Sequence, residues 1–284
     1  MKLITYKTIK EFWDENKSLL LEREALNQLI ITSVKQNLEE YTSKECLFGV
    51  VKDDFNVVIL VFCNVAPFNL LIYTSADGTD KESIHIVADY LIKENIAIRG
   101  ITGNRAVVDI FNKYYSKRSG LQLEEHFSMD IMEIRKVKEN KLVKGNFRKA
   151  TLVDLELLVK WHMLSTLEMD NTELRYEEVK LRIEREIRQG DVFIYENQEH
   201  IPVSTASGIR KLHRGIAIAR VYTPKDQRCK GYSTACMDGL SRYYLEHGNE
   251  YCTLFVEKKN PSSNRVYKKV GYVVLEDNYD YRIK

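Results

Sequence analysis

Arg228-Cys-Lys-Gly231-Tyr-Ser233-Thr234 is the segment of this chain whose residue types and spacing point to chemistry. It follows a β-rich run (216–222) and a bend at Pro224, and it opens a helical run that begins at Tyr232. The first turn of a helix has unpaired N–H groups and a partial positive charge. A glycine there lets the main chain approach an anion without a Cβ in the way. Arg228 and Lys230 add cations, and Ser233 and Thr234 add hydroxyl donors. The chemistry so predicted is the grip of a diphosphate. A plain basic strand-to-helix turn with a serine cap fits the same residues, and the loop alone leaves both readings open. Neither G-x-x-x-x-G-K-[ST] nor G-x-G-x-x-G occurs, which excludes those two nucleotide loops.

A strand and a helix must frame such a loop, and the hydrophobic rhythm supplies both. The chain has 284 residues, 44% hydrophobic and 30% charged. At about 100–200 residues per domain this length predicts two domains, each with apolar mass for a core. Leu19, Leu26, Leu29, Ile30, Val34 and Leu38 recur at helical spacing, so residues 1–40 read as helix. Short β-rich runs at 46–51, 55–63 and 69–74 read as an antiparallel meander. A helix (81–94), a strand (97–101), a helix (105–118) and one or two strands ending near Val137 follow. The polar stretch 138–144 reads as a linker between a domain at 1–138 and a domain at 139–284.

The second domain reads as a strand at 147–148, helices at 152–167 and 176–189, and strands at 191–196, 201–209 and 216–222. A helix at 232–247 stopped by Gly248, a strand at 251–256, a helix at 261–269 and closing strands complete it. Tyr232, Ala235, Cys236, Gly239, Leu240, Tyr243 and Tyr244 make a buried stripe, with Gly239 permitting close approach to the sheet. Both halves are α+β with mixed sheets. A weak echo links them: residues 90–114 and 244–267 each run from a helix end through a strand and an Asn into a helix with Arg, Val and an aromatic residue.

In this setting Arg228-x-x-Gly231-x-Ser233 resembles the cofactor loop of the GNAT N-acetyltransferase superfamily, [Gln/Arg]-x-x-Gly-x-[Gly/Ala]. The departure is a serine at the last position. Arg148-x-Ala150-Thr151-x-x-Asp154 is similar to the family's first strand–helix junction. Asn260-Pro-Ser-Ser-Asn264-Arg-Val-Tyr267-Lys-Lys-Val-Gly271-Tyr272 is similar to its late Asn…Tyr…Gly-aromatic segment. The resemblance covers roughly residues 142–284. It implies an acyl-CoA N-acyltransferase-like fold, a mixed, mostly antiparallel sheet flanked by helices, here in two tandem copies.

The resemblance further implies acetyl-CoA as acetyl-donor cosubstrate, with no metal, in a cleft where two strands splay. Val221, Tyr222 and Thr223 end the fourth strand, where backbone groups meet the pantetheine and the thioester carbonyl. The amides of Cys229, Lys230, Gly231, Tyr232, Ser233 and Thr234, with Arg228, cradle the pyrophosphate. Asn260 and Asn264 touch the pantetheine arm, and Tyr267 sits near the thioester sulfur. A phenol of ordinary pKa about 10 can protonate a departing thiolate of pKa about 8.5. The implied activity is transfer of acetyl to a primary amine in a ternary complex. A non-catalytic acyl-CoA-binding or sensing protein is the alternative. No carboxylate occurs between His213 and Asp226; His213 is weighed as a proton acceptor, and Glu168 and Asp170 as residues lining the acceptor side to attract a cation, each also fitting a plain surface residue, with a water-mediated proton path as the default.

In the first domain, Gly78 stands where a second such loop would lie, but Asp77, Asp80 and Glu82 repel an anion there. That domain is expected to keep the shape, lose the cofactor, and act as a structural or substrate-shaping partner. With 43 basic and 41 acidic residues the net charge is +2, which gives nucleic-acid binding no support. The longest apolar runs are too short for a bilayer, and no signal-peptide core opens the chain. Five cysteines without a C-x-x-C pair argue against a disulfide framework or a zinc site, so a reduced, cytoplasmic protein is expected. The partner expected is a small-molecule or peptide amine.

Overall fold

A computed structural model describes residues 1–38, 46–75 and 80–284. The chain forms two compact units. Unit one holds Met1–Ile131, Glu257–Lys259 and Val274–Lys284; unit two holds Met132–Val256 and Asn260–Val273. Gly78 and Asp77, on which the reading of a second loop rests, lie outside the described residues.

In chain order the first ten elements are β1 (Lys2–Thr5), α1 (Ile9–Glu22), α2 (Gln28–Leu38), β2 (Cys46–Lys52), β3 (Val58–Val65), β4 (Leu70–Thr74), α3 (Lys81–Lys93), β5 (Gly100–Gly103), α4 (Arg105–Ser119) and β6 (Leu123–Ile134). The next ten are β7 (Asn146–Lys149), α5 (Leu155–Asp170), α6 (Tyr176–Gln189), β8 (Val192–Glu196), β9 (Pro202–Lys211), β10 (Gly215–Tyr222), α7 (Tyr232–Glu246), β11 (Tyr251–Glu257), α8 (Pro261–Val270) and β12 (Val273–Ile283). Both series read β-α-α-β-β-β-α-β-α-β. The faint echo in sequence is therefore a repeat of a whole topology. Its residue-level core is the shared asparagine: Asn104 caps α4 by accepting from Val107 N–H, and Asn260 caps α8 by accepting from Ser263 N–H.

The N-terminal helix of the sequence reading is three elements. Lys2–Thr5 pairs with β2, and a break at 23–27 separates α1 from α2. Strand residues at an edge carry little periodicity of their own, which hid β1. The closing strand also departs from its expected place in the second domain. Its residues Tyr279–Arg282 pair antiparallel with Gly100–Gly103 of β5, and Tyr279 and Tyr281 are buried in the core of unit one. Conversely Met132, Ile134 and Val137 belong to the core of unit two.

Within unit two, strands β11-β10-β9-β8-β7 lie side by side, antiparallel except for the β10–β11 pair. Period-two alternation sends Phe193 and Tyr195 of β8 to one face and Val192 and Ile194 to the other. The first face packs on α7 and α8 through Ala235, Cys236, Leu240 and Tyr267. The second packs on α5 and α6 through Leu158, Val159, Trp161, Val179 and Ile183. Gly239 is needed for this packing: a Cβ there would come within 2.6 Å of the Phe147 ring on β7. Arg148 meets both oxygens of Asp154 at 2.8 and 2.9 Å, and Asp154 accepts from Thr151 N–H at 2.8 Å, so that junction fixes the entry to α5. No helix among the described residues is long and apolar enough to cross a membrane.

Candidate active site

Two strands part at the centre of unit two. Gly215–Ala217 of β10 pair in parallel with Tyr251–Thr253 of β11, and beyond these no pairing joins the described residues of the two strands as they run on to Tyr222 and Glu257. Parallel strands that separate expose backbone N–H and C=O groups in a cleft, where only a ligand or water can satisfy them. On its other side β10 is distorted as well. Its register with β9 shifts between Ala219 and Tyr222, and Arg220 takes a φ of 54°. The bulge re-aims the last residues of the strand.

After Tyr222 the chain turns through a short 3-10 turn (Lys225–Gln227) into the loop 228–231. Cys229 (φ 61°) and Gly231 (φ 88°) both lie in the left-handed region. A Cβ on Gly231 would meet only Val143, at 3.8 Å, so the backbone angle rather than space calls for glycine. Gly231 is the N-cap of α7 and supplies no side chain to cap it. Ala235 N–H is the first to bond back, to the Gly231 carbonyl at 3.1 Å. Among the described residues, none accepts a hydrogen bond from the backbone N–H groups of Cys229 to Thr234. Six successive N–H groups at a helix N-terminus are thus left for solvent or a ligand to satisfy.

Residues 155–272 match the family model described as the acetyltransferase (GNAT) family. The C-terminal unit carries a GNAT domain. Solved structures extend the likeness of fold to the full chain. One is an acetyltransferase from the GNAT family of Colwellia psychrerythraea, 9% identical over 100% of both chains at a TM-score of 0.60. Another is a GCN5-related N-acetyltransferase from Sphaerobacter thermophilus, 12% identical over 99% of this chain and 95% of that one, at 0.65. A Drosophila protein aligns at 10% identity over 99% and 98%, at 0.66. No curated protein matches the sequence.

In the GNAT domain the residues singled out in sequence fall into three groups. Val221 to Thr223 end β10 beside the parting strands, with Tyr222 buried against Trp161 and Val221 packed on the opposite face. Thr223 Oγ1 lies 2.9 Å from Ser204 Oγ, and its carbonyl accepts from Arg228 Nε at 2.9 Å. Arg228 Nη2 sits 2.7 Å from Glu168, which also accepts from the Tyr222 hydroxyl at 3.1 Å. Arg228 thus clamps the loop to the end of β10 and α5. Lys230 reaches back to Gln227 Oε1 at 3.1 Å.

The third group is on α8. Asn260 uses its side chain as the cap, and Asn264 Nδ2 bonds the Asn260 carbonyl at 2.9 Å. Tyr267 is 6% exposed, and burial pushes its phenol up to about 12, with the Ser263 hydroxyl one turn back opposing the shift. In α4 of unit one, the residue seven places after the capping Asn104 is Phe111, which has no hydroxyl to give.

Of the residues weighed for the acceptor side, Glu168 is raised by burial but held below the ordinary carboxylate range overall by Arg228 and Tyr222. Asp170 accepts from Thr172 Oγ1 at 3.1 Å. His213 stands in the β9–β10 turn, before Gly215, so seven strand residues, about 23 Å, part the start of β10 from Tyr222. The fold does not bring His213 to the site. Among the described residues no group of His, Cys, Asp and Glu has the arrangement of a metal site.

Sequence reasoning missed the side of the cleft formed by α5 and α6. There His162, Ser165, Thr205, Ser207, Arg220 and Tyr222 line a small pocket. Arg182 Nη2 lies 2.5 Å from His162 Nε2, and Arg220 pairs with Glu186. Burial, then the charges of Arg182 and Arg220, bring the His162 imidazole down to about 4, so the ring is neutral and accepts from Arg182. The i, i+4 spacing of Arg182 and Glu186 on a strongly amphipathic helix was the available signal, but such pairs usually mark a solvated face.

Proposed function

We propose that this protein is an acetyl-CoA-dependent N-acetyltransferase that passes an acetyl group directly to a primary amine. The row of unengaged amides from Cys229 to Thr234 carries the reading. A bare helix N-terminus next to parted strands suits a diphosphate joined to an extended arm that borrows strand-like hydrogen bonds from β10. Acetyl-CoA has both parts. Its pyrophosphate would lie on the loop, its pantetheine along Val221 and Thr223, and its thioester near Tyr267.

The chain's residues then divide the work. Backbone N–H at the end of β10 polarises the thioester carbonyl as the amine attacks. The Tyr267 hydroxyl gives its proton to the departing thiolate. That phenol is a weaker acid than a free tyrosine, yet a thiolate released in the same dry surroundings is a stronger base, so the transfer stays matched. The ammonium proton leaves through water, since Glu168 is committed to Arg228 and Tyr222.

Calorimetry with coenzyme A and thiol release from acetyl-CoA across a panel of amines test this together. Gly231→Asp should weaken coenzyme A binding about tenfold or more, through charge at the helix terminus and loss of the glycine angle. Unchanged affinity would remove the loop from the site. Tight cofactor binding without turnover on any amine would turn the reading into that of an acyl-CoA sensor.

A further inference from the structure

The α5–α6 pocket has a charge imbalance that the cofactor does not use. Arg220 is largely buried, and the charges acting on it are Glu186 against Arg182 and Arg185. One carboxylate, Glu186, therefore faces the guanidiniums of Arg220 and Arg182, with the exposed Arg185 beyond them. Two guanidiniums sharing one carboxylate, with the Arg182 Nε buried and unbonded, leave a surplus of positive charge that suits an anion.

The donors are also oriented. Arg220 commits Nη1 to Glu186, and among the described residues nothing accepts from its Nε and Nη2, the edge that grips a carboxylate by two parallel bonds. Arg182 commits Nη2 to His162 and leaves a buried Nε without a partner. Arg220 lines the pocket two residues before Tyr222, on the face of β10 that looks toward α5 and α6. Val221 between them faces the other way, toward α7. The cluster thus adjoins the stretch of strand along which the acyl arm would run.

We propose that the acceptor is a small amine that also bears a carboxylate, an amino acid, whose carboxylate is held by Arg220 and Arg182 while its amine points at the parting of β10 and β11. This rests on the acetyltransferase reading and narrows it. Polyamines and other cationic amines are repelled by the same cluster.

The test measures thiol release from acetyl-CoA with free amino acids, their carboxamides, spermidine and phosphoethanolamine, using the full chain. Amino acids should exceed the matching amides at least tenfold in kcat/KM. Arg220→Gln and, independently, the half-exposed Arg182→Gln should collapse that ratio toward one, chiefly through KM. Equal rates on acid and amide, or preference for spermidine or phosphoethanolamine, would overturn the proposal while leaving acetyl transfer standing. If no amine turns over, the thermal midpoint decides. A rise with amino acid but not with amide keeps the carboxylate site without the reaction, and no rise with either ends it.

Discussion

At the scale of the residue, the side chains proposed for chemistry are set by burial. Tyr267 should remain protonated through the usable pH range, because an acid must carry its proton and its pKa of about 12 lies above that range. No alkaline fall in kcat is expected near pH 10, where an exposed tyrosine would ionise. Tyr267→Phe should lower kcat by about a hundredfold or more with little change in KM for acetyl-CoA. A small loss would hand the proton to solvent. The thiols differ in the same way. Burial pushes Cys236 and Cys252 up to about 12, whereas Cys229 is exposed in the loop. A thiol reagent should therefore label Cys229 long before Cys236 or Cys252, and bound coenzyme A should protect it. Labelling that ignores coenzyme A would place the cofactor elsewhere. Tyr267 and Cys229 were singled out in sequence by the resemblance of their segments to family motifs, because a motif names positions. What Arg228 does was not legible there, since its bond to Glu168 spans sixty positions that only folding closes.

Elements impose constraints that single residues do not show. Helix α7 begins on a glycine that offers no cap, while α3 begins on Asp80, whose carboxylate accepts from Ser83 N–H at 2.8 Å. The same helix position is open to an anion in one repeat and closed by a built-in anion in the other. The α5–α6 layer carries a titration of its own. The folded pKa of His162, about 4, lies below its unfolded value near 6.5. The unfolded chain therefore binds the proton first, and stability is lost as pH falls from about 6.5 to about 4. The loss is on the order of 1–3 kcal/mol once partial exposure is allowed for. Glu186, raised by burial, slopes the opposite way, so the comparison that counts is wild type against His162→Gln. Chemical denaturation between pH 4 and 7 should show a shallower decline in the variant; parallel curves would leave His162 without this role. The bounds of α6 agree with the sequence reading, whereas α5 runs to Asp170, three residues past the expected end at 167. The inward turn of Arg182, Arg220 and Glu186 was not legible in sequence, because charge usually signals solvent and a bulge at Arg220 leaves no mark in composition.

On the scale of the whole molecule, the repeat of one topology in both units predicts how many cofactors a chain takes. Unit one has the element order of a GNAT domain, but Asp80 caps its third helix and Phe111 stands in place of the phenol. Calorimetry should give one coenzyme A per chain, and a stoichiometry of two would contradict this reading of α3. The shared order of elements left only a faint echo in sequence, while the destination of the last strand was hidden, since strand pairing depends on partners far away in the chain. That destination matters beyond packing. Val274–Lys284 is synthesised last yet completes unit one, and Met132, Ile134 and Val137, which the sequence reading gave to the first domain, lie in the core of unit two. A gene cut between the halves would give two products, each missing part of its own interior and carrying part of the other's. Such an exchange of segments between two repeats works like a ratchet: either unit can drift in sequence, but neither can be discarded whole.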